Sequence, residues 1–339
     1  MRHVNIPIFI PHLGCPNDCV FCNQRTISGK SDYDPKGVKA EISRALETVG
    51  DDDVVQIAFF GGSFTGIDRE EMIYLLSVAK EFIDKGKVRS VRLSTRPDYI
   101  NDEILGILKA YSVKTIELGI QSISDKVLEK SRRGHGSDCA KAAMRLVKEY
   151  GFELVGQMMI GLPGATVSDE VETAKAICEA GADSARIYPT VVFADTALCD
   201  MAKGGEYRPL SLEEAVERTK ACKSVFIEQN VECIRVGLQS GENLADGEKV
   251  YAGDYHSAVG ELVDSEIYYD RIKEYIEKNS LRERIKGQNI VIYAPRGEVS
   301  KVSGHRRSNK QKLQNEYYVK NIKVIEKNEV LRYNIILSV

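Results

Sequence analysis

The sequence has no long hydrophobic run, no recognisable leader and little net charge. Its longest apolar runs have the length of a strand, so none is long enough to span a membrane. The N-terminal segment has one short apolar run, interrupted by Pro7 and Pro11, and lacks a small-residue cleavage site, which argues against a secretory signal. Hydrophobic residues make up 43% and charged residues 29% of the chain, which is ordinary for a globular enzyme.

A disulfide-based scaffold is excluded as well. Eight cysteines among 339 residues are too sparse for one, and a chain of this length does not need it. We therefore expect reduced thiols and a cytoplasmic location. Internal repeats and low-complexity tracts are absent, and the length suits one large α/β domain with a smaller second one.

Charge is unevenly distributed, although the formal net charge is only −3. The segment 296–327 holds nine Lys/Arg and three Glu, a local charge of +6 that leaves −9 for the remainder of the chain. This asymmetry predicts that the C-terminal segment contacts an anionic partner. A solvated helix face is the alternative interpretation.

Strand-like and helix-like segments alternate over the first 240 residues. Strands are predicted at 4–10, 54–60, 91–96, 115–121, 154–160 and 184–189, with a seventh candidate at 233–239. Amphipathic helices are predicted at 35–48, 68–84, 102–110, 137–149, 168–180 and 211–228. Repeated βα units imply a parallel sheet with right-handed crossovers.

The strand faces favour a barrel over a doubly wound open sheet. In the strand at 115–121, aliphatic side chains alternate with Glu117, Gly119 and Gln121. Strands between two helix layers are usually apolar on both faces, whereas one polar face suits a barrel whose interior holds a ligand. We therefore predict an α/β fold, a partial parallel (β/α)6 barrel; a half-solvated sheet is the alternative.

After residue 240 the βα alternation ends, and a small α+β extension is predicted. The two predicted domains are thus 1–240 and 241–339, the second of them basic. The predicted elements of the extension are helices at 260–278 and 305–317 and strands at 289–295, 321–328 and 330–337.

Three cysteines, Cys15, Cys19 and Cys22, fall within eight residues after the first strand. Three thiolates from one loop can hold three irons of a [4Fe–4S] cube and leave the fourth iron open. A zinc site with His12 as fourth ligand is the alternative, and buried packing is another. The loop lies at the carboxyl end of a strand, where active sites of βα barrels form.

With Phe21 directly before the last cysteine and GGSFTG at 61–66, the sequence resembles the radical S-adenosylmethionine (SAM) superfamily. The resemblance implies a radical SAM type of partial barrel, with a [4Fe–4S] cluster on Cys15, Cys19 and Cys22 and SAM as the second cofactor. It also implies an enzyme that cleaves SAM to a 5′-deoxyadenosyl radical, which then abstracts a substrate hydrogen.

Other segments resemble the subgroup related to the catalytic subunit of the Elongator complex. They are LSTRPDYI at 93–100, IELGIQS at 116–122, MIGLPG at 159–164, VYAGDYHSAVGELV at 250–263 and VSKVSGHRRSN at 299–309. Ser63 and Phe64 depart from the superfamily, because many members have Glu after the glycines. No glycine-rich acetyl-CoA loop follows the barrel before Val339, so an Elongator-like enzyme without the acetyltransferase domain is expected.

The resemblance implies that residues on two loops contact the cofactors. Gly61, Gly62 and Ser63 are expected to contact the methionine amino group of SAM, since glycines let the backbone approach a ligand closely. The ring of Phe21 could cover the cluster or stack on a flat base.

Further cofactor contacts are expected from side chains that point into the barrel. Ser94 and Arg96 lie on the third strand, and Arg96 could either neutralise the methionine carboxylate or pair with an acid such as Glu117. Gln121 and Gln157 could bind the ribose or adenine, or be satisfied by the backbone.

The Elongator resemblance favours RNA, with transfer RNA in particular, as the substrate, because Lys/Arg clusters bind phosphates and aromatic rings stack on unpaired bases. Tyr317 and Tyr318 are the aromatic residues near the basic segment. The expected substrate-side residues are Arg186, Tyr188, Arg235, His305, Arg306 and Arg307.

Two other functions remain open. One is a radical SAM enzyme acting on a small metabolite or a tetrapyrrole-like compound, as in the related anaerobic coproporphyrinogen oxidases. The other is a non-enzymatic, metal-bearing RNA-binding protein. For an enzyme, an electron donor such as flavodoxin or ferredoxin is expected as a partner.

Overall fold

The chain divides into two compact units. Unit 1 comprises Met1–Leu212 and Val225–Tyr255, and unit 2 comprises Glu213–Ser224 and His256–Val339. The predicted domains 1–240 and 241–339 stay a prediction. The structure, a computed structural model, describes residues 2–10, 13–15, 19–23, 33–50, 52–238, 250–253 and 255–339. His12 and Gln239, the end of the seventh strand candidate, lie outside these residues.

Unit 1 alternates strands and helices along the chain. Its strands are β1 (His3–Ile10), β2 (Val54–Gly61), β3 (Ser90–Thr95), β4 (Val113–Gln121), β5 (Glu153–Ile160), β6 (Ser184–Pro189), β7 (Val192–Phe193), β8 (Glu232–Val236) and β9 (Val250–Ala252). The helices between them are α1 (Val38–Leu46), α2 (Arg69–Asp84), α3 (Asp102–Ala110), α4 (Asp125–Lys130), α5 (Ser137–Glu149), α6 (Val167–Glu179) and α7 (Ala197–Lys203). Helix α8 (Leu212–Glu228) precedes β8 in the chain, but its residues Glu213–Ser224 belong to unit 2.

The large sheet of unit 1 has seven parallel strands in the order β1-β2-β3-β4-β5-β6-β8. Each strand pairs with the next one along the chain, so the order never reverses as it does in a doubly wound sheet. This arrangement confirms the predicted partial barrel, with β8 as a seventh strand beyond the six of the (β/α)6 prediction. The short strands β7 and β9 form a separate antiparallel pair.

Local sequence signals explain where the helices begin. The Asp68 carboxylate accepts from the first amides of α2, and Thr166 and Asp169 form a reciprocal capping box at the start of α6. Helices α4 and α7 were not predicted, because six or seven residues are too few to show a helical periodicity. Among the helices that the structure describes, none has the length and apolar character that a membrane crossing requires.

Unit 2 packs helices against a three-stranded sheet. The strands are β10 (Asn289–Ala294), β11 (Asn321–Glu326) and β12 (Ile336–Ser338), and the helices are α9 (Val259–Lys278), α10 (Arg282–Ile285), α11 (Val299–Ser303) and α12 (Ser308–Tyr317). β10 is central, parallel to β11 and antiparallel to β12. The core between these layers includes Ile272, Ile292 and Leu313.

Two predictions for unit 2 need correction. The strand predicted at 330–337 is wrong over most of its length, since only Ile336–Ser338 is extended and Tyr333, with a φ of 60°, turns the chain before it. The helix predicted at 305–317 becomes regular only at Ser308, because Arg306 and Arg307 have φ values of 50° and 65°.

Candidate cofactor site

The three closely spaced cysteines lie on the loop after β1. Cys19 is buried, Cys22 is half-buried and Cys15 is exposed. The amide of Cys22 donates to the carbonyl of Cys19 at 3.0 Å, so these two residues share one turn. Soft thiol donors therefore occur together at the carboxyl edge of the sheet, as the sequence predicts.

Val20 anchors the cysteine loop to the rest of unit 1. Its amide donates to the carbonyl of Ser131 at 3.2 Å, and its carbonyl accepts from the amide of Leu198 at 2.8 Å. Its side chain is buried in a small cluster with Val192 and Leu198, and Phe21 packs against this cluster. One face of the Phe21 ring is thus used for packing.

Glycines allow the cysteine loop to lie directly on the loop after β2. A Cβ on Gly62 would overlap the carbonyl oxygen of Leu13, and a Cβ on Gly14 would overlap that of Ser63. Gly61 has a φ of 119°, a conformation that side chains rarely adopt. The amide of Gly62 donates to the carbonyl of Ile10, the last residue of β1, at 2.9 Å, and the amide of Ser63 donates to the carbonyl of Leu13 at 3.1 Å. An amino group bound here would therefore have to contact carbonyl oxygens.

The hydroxyl of Ser63 is engaged in a buried cluster. It lies 2.8 Å from the Thr95 hydroxyl, which is itself 2.5 Å from that of Thr65. The amide of Arg96 also donates to Ser63 Oγ, at 3.2 Å. This network fixes the loop after β2 to the end of β3, so the Ser63 side chain has a structural task.

Two buried guanidinium groups face Cys19. Arg133 donates from Nη1 to Cys19 Sγ at 3.4 Å and from Nη2 to the carbonyl of Gly119 at 2.5 Å. Arg96 Nη1 lies 3.9 Å from the same sulfur. Two cations thus lie beside one of the three sulfurs on the cysteine loop.

Arg96 pairs with Asp98 and not with Glu117. Its Nε and Nη2 donate to the two oxygens of Asp98 at 2.9 and 2.8 Å, and Nη2 also donates to the carbonyl of Arg133 at 2.7 Å. Burial alone would raise the pKa of Asp98, but the hydrogen bond and charge of Arg96 outweigh it and hold the pKa below its usual value.

Arg133 was not found by reading the sequence. It lies in SRRGHG at 131–136, between α4 and α5, where two arginines look like solvated loop residues. The place of this segment in the chain could have indicated its role. It belongs to the connection after β4, and such connections begin at the same edge of the sheet as the cysteine loop.

The predicted polar residues of the strands form a row across the sheet. Gly119, Gln157, Arg186 and Arg235 are direct partners on β4, β5, β6 and β8. Direct partners on parallel strands point to the same face, so these side chains share one polar face. Ser94 is the direct partner of Glu117 on β4. Glu117 is two residues from Gly119, so Ser94 and Glu117 point to the same face.

Glu117 is the charged centre of this face. It is buried and lies 2.5 Å from Arg92 Nη2 and 3.2 Å from Arg186 Nε. Arg186 also lies over the Phe60 ring at 5.6 Å and donates to the Tyr188 hydroxyl at 3.3 Å. Arg186 and Tyr188 are therefore held side by side on the interior face, as the sequence predicts for adjacent lining residues.

Gln121 ends β4 in a strained conformation with an unsatisfied oxygen. Its φ is 65°, and its Oε1 is buried without a hydrogen-bond partner among the described residues. Ser131 Oγ, Arg133 Nε and His135 Nε2 are further buried atoms in this state. Buried polar atoms are normally paired, so four unpaired ones within 121–135 indicate a site that takes a polar ligand.

These observations fit a cluster and a polar cofactor at this edge of unit 1. The thiols are on one loop, cations face the buried thiol, and the segment 121–135, which supplies one of these cations, holds four unsatisfied polar atoms. Within the described part of the chain, no three Cys, His or acidic side chains converge into a ready-formed metal site. Binding of a cluster would therefore draw the thiols together.

His305, Arg306 and Arg307 lie apart from these residues in the chain, in unit 2. They line a pocket of about 340 Å³ within that unit. Of the two tyrosines predicted to stack on bases, Tyr317 is buried in the core of unit 2, whereas Tyr318 is 71% exposed. Of these two rings, that of Tyr318 is the exposed one, and Lys286 Nζ lies 6.0 Å from its centroid.

Comparisons with known proteins were made on sequence and on fold. A family model described as the radical SAM superfamily matches residues 9–177, and one described as the radical SAM C-terminal domain matches residues 182–269. The solved structure of the archaeal Methanocaldococcus infernus Elp3 with an N-terminal deletion superposes with a TM-score of 0.62 at 23% identity, covering 82% of this chain and 63% of that one.

Curated relatives match over part of their length. The tRNA uridine(34) acetyltransferase of Methanocaldococcus infernus is 29% identical over 202 residues, 53% of this chain and 38% of that protein. Elongator complex protein 3 of Homo sapiens is 25% identical over 248 residues, 61% of this chain and 45% of that protein. The chain thus spans less than half the length of these two relatives.

Proposed function

Because the chain belongs to the radical SAM superfamily, and is thus an enzyme that uses a [4Fe–4S] cluster and SAM, we propose that it modifies RNA, with transfer RNA as the substrate class. The observation that carries the cofactor part is the cysteine loop, held against the Gly61–Gly62 turn with two arginines at Cys19. The RNA part is supported by the name of one relative, a tRNA uridine(34) acetyltransferase, and by the cations of unit 2.

Cys15, Cys19 and Cys22 are the proposed ligands of the cluster. Arg133 and Arg96 place positive charge beside the sulfur of the buried Cys19, which would favour the binding of an anionic cluster there. Three protein ligands leave one iron for SAM. His12 is not needed in this assignment.

The proposed SAM contacts are the loop ends beside the cysteines. Carbonyl oxygens of the Gly61–Ser63 turn would accept from its amino group, and the unsatisfied Oε1 of Gln121 would accept from a hydroxyl or amine of its nucleoside. Arg96 is largely used by Asp98, so Arg133, whose Nε is unpaired, is the better candidate for its carboxylate.

The interior face would then bind the reacting part of the substrate. When bound, the cluster supplies the electron that cleaves SAM to methionine and a 5′-deoxyadenosyl radical, which abstracts a substrate hydrogen. Ser94, Gln157, Arg186, Tyr188 and Arg235 lie on the face on which the substrate would be oriented. A cytoplasmic location and a flavodoxin or ferredoxin as electron donor stay predictions.

The test is reductive SAM cleavage by the full chain after anaerobic reconstitution. We expect close to four irons per chain and 5′-deoxyadenosine that depends on reductant and increases when transfer RNA is added. Profiling of modified nucleosides in RNA from cells lacking the protein should show a missing nucleoside. Cleavage that RNA does not stimulate, with an unchanged nucleoside profile, would refute the RNA substrate. One zinc per chain without cleavage would contradict the cofactor assignment.

A further inference from the structure

The pocket of unit 2 is lined by an excess of positive charge. Four Lys/Arg side chains, Lys301, Arg306, Arg307 and Lys310, line it against one acid, Glu261. It is formed within unit 2 by α9, α11, the turn 304–307 and the first turn of α12. Its volume of about 340 Å³ is at the lower end of the range for ligand pockets.

Three of these cations have no counter-ion among the residues that the structure describes. Lys301 pairs with Glu298 at 3.0 Å and Asp264 at 3.3 Å. By contrast, Arg306, Arg307 and Lys310 form no ion pair with any acid in the described ranges. Burial lowers the pKa of Lys310, and the charge of Arg307 lowers it further. An anion in the pocket would relieve this repulsion.

The backbone holds two of the cations in an unusual turn. Arg306 and Arg307 are consecutive non-glycine residues with left-handed φ values, a backbone conformation that is unfavourable for residues with a side chain. The fully buried Asn309 fixes the turn by donating from Nδ2 to the carbonyl of Ser265 at 2.7 Å. Gly304 is required beside it, since a Cβ there would lie 2.5 Å from the Asn309 amide.

We propose that this pocket binds a phosphate group of the RNA substrate, an inference that rests on the proposed function only for naming RNA as the source. Guanidinium groups match phosphate oxygens bidentately, and the ammonium group of Lys310 adds a point charge. Serine hydroxyls at 300 and 303 supply further donors along the wall. A pocket of this size takes a phosphate and part of one nucleotide, so it positions the RNA without reading its sequence.

The test compares two charge-matched triple variants of the full reconstituted chain. The pocket variant is Arg306→Gln, Arg307→Gln, Lys310→Gln. The control variant is Arg284→Gln, Arg296→Gln, Lys323→Gln, whose side chains are exposed elsewhere in unit 2 and form no ion pair in the described part of the chain. Both lose two arginines and one lysine, so non-specific attraction falls equally.

Affinity for labelled transfer RNA is measured by fluorescence anisotropy at several salt concentrations. We expect the pocket variant to bind about tenfold more weakly, with a salt slope of log K smaller by about 1, and the control to stay within about twofold of wild type. Equal affinities for both variants would overturn the proposal. The melting temperature checks folding, and Arg306→Gln alone is the milder second variant.

Two small phosphate compounds test whether the pocket binds phosphate at all and whether that phosphate belongs to RNA. Inorganic pyrophosphate and adenosine monophosphate are titrated into wild type, pocket variant and control. Competition of both probes with RNA, lost only in the pocket variant, supports the proposal. If the wild type binds the probes through these residues but binds no RNA, the pocket is a site for a small phosphorylated molecule, and RNA is overturned as the source. RNA-stimulated SAM cleavage is scored separately, so failure of the pocket and failure of the proposed function are distinguishable.

Discussion

Cys19 is the buried member of the three closely spaced cysteines. Arg133 reaches it with Nη1 at 3.4 Å and is tied to the Gly119 carbonyl through Nη2 at 2.5 Å. A cation this close to a ligand sulfur stabilises added negative charge, and reduction of a cluster adds one electron. With Cys19 as a ligand of the cluster, as proposed, Arg133 would position this ligand and tune the reduction potential.

Arg133→Gln should weaken the cluster site. Loss of a buried charge-assisted hydrogen bond costs about 1.5–3 kcal/mol, so we expect cluster release to a chelator to become roughly tenfold faster or more. The reduction potential of the remaining cluster should become more negative. Chelation kinetics and a spectroscopic redox titration measure the two effects, and Arg133→Lys should restore the potential in part.

Arg132→Gln is the matched control for this substitution, because Arg132 is the exposed neighbour. It should leave both quantities unchanged. If Arg133→Gln and Arg132→Gln behave alike, Arg133 has no influence on the cluster.

Gly62→Ala should destabilise the junction of the two loops. Its Cβ would overlap the backbone oxygen of Leu13, which cannot move without shifting the cysteine loop. We expect a loss of about 1–3 kcal/mol in unfolding free energy and a lower iron content. Gly106→Ala is the opposite case, because Gly106 lies inside α3 with open space around it. This substitution should raise the unfolding free energy by up to about 1 kcal/mol. Thermal unfolding distinguishes them; equal shifts would show that the loops are not in contact.

Single residues also show what sequence could reveal about the site. The cysteine spacing and the Gly61–Gly62 turn are local signals, so both were predicted. The contact of Arg133 with Cys19 depends on how two distant loops pack, and no local pattern encodes it. Likewise, the Ser63 hydroxyl is engaged by Thr95, a partner 32 residues away.

At the scale of elements, the alternating strands were predicted almost to their ends because side-chain alternation is a strong periodic signal. The polar row through Gln157, Arg186 and Arg235 follows directly from that alternation and a parallel register. Prediction failed where the end of a strand depends on the backbone angle of a single residue. The apolar residues of 330–337 suggest one strand, but the left-handed Tyr333 divides them.

Asp264 on α9 links this helix to the segment Glu213–Ser224 of unit 2. Neutralising Asp264 should lower the free energy of unfolding. Its buried carboxylate contacts the buried ammonium of Lys223 and accepts from the Tyr333 hydroxyl at 3.1 Å. Asp264→Asn would leave Lys223 without its negative partner, and removal of one member of a buried pair typically costs about 3–5 kcal/mol.

Asp270→Asn on the same helix provides the comparison. Asp270 pairs with Lys220 at 2.9 Å near the surface, and Lys220 keeps Glu217 as a second partner. This substitution should cost less than about 1 kcal/mol. Chemical unfolding followed by circular dichroism measures both, and similar losses would contradict the burial of the Lys223–Asp264 pair.

At the scale of the whole molecule, the cations of the basic segment 296–327 fall into two sets, those with an acidic partner and those without one among the described residues. Lys301, Lys312 and Lys327 are each paired with a glutamate. Other cations of 296–327, including those of the pocket, have no such partner within the described residues. The charge count predicted an anionic contact somewhere in this segment, but only the packing shows which side chains remain available for it.

Acid should unfold the molecule through carboxylates that are ionised more easily in the folded state. The hydrogen bond and charge of Arg2 lower the pKa of Asp53 to about 2, and hydrogen bonds from Thr166 lower that of Asp169. A lowered folded pKa gives stability that is complete above the unfolded value, near 4, and is lost as pH falls through the folded value. The melting temperature should therefore fall steeply between about pH 4 and pH 2.

The Asp53 contribution can be isolated within that profile. Asp53→Asn removes the titrating group, so the variant should be less stable than wild type at pH 6 and the difference should shrink as pH approaches 2. Asp52→Asn, at the exposed neighbour, should follow the wild-type curve. A constant difference between Asp53→Asn and wild type across the range would show that the Arg2–Asp53 contact joining the start of β1 to the segment before β2 does not titrate with folding.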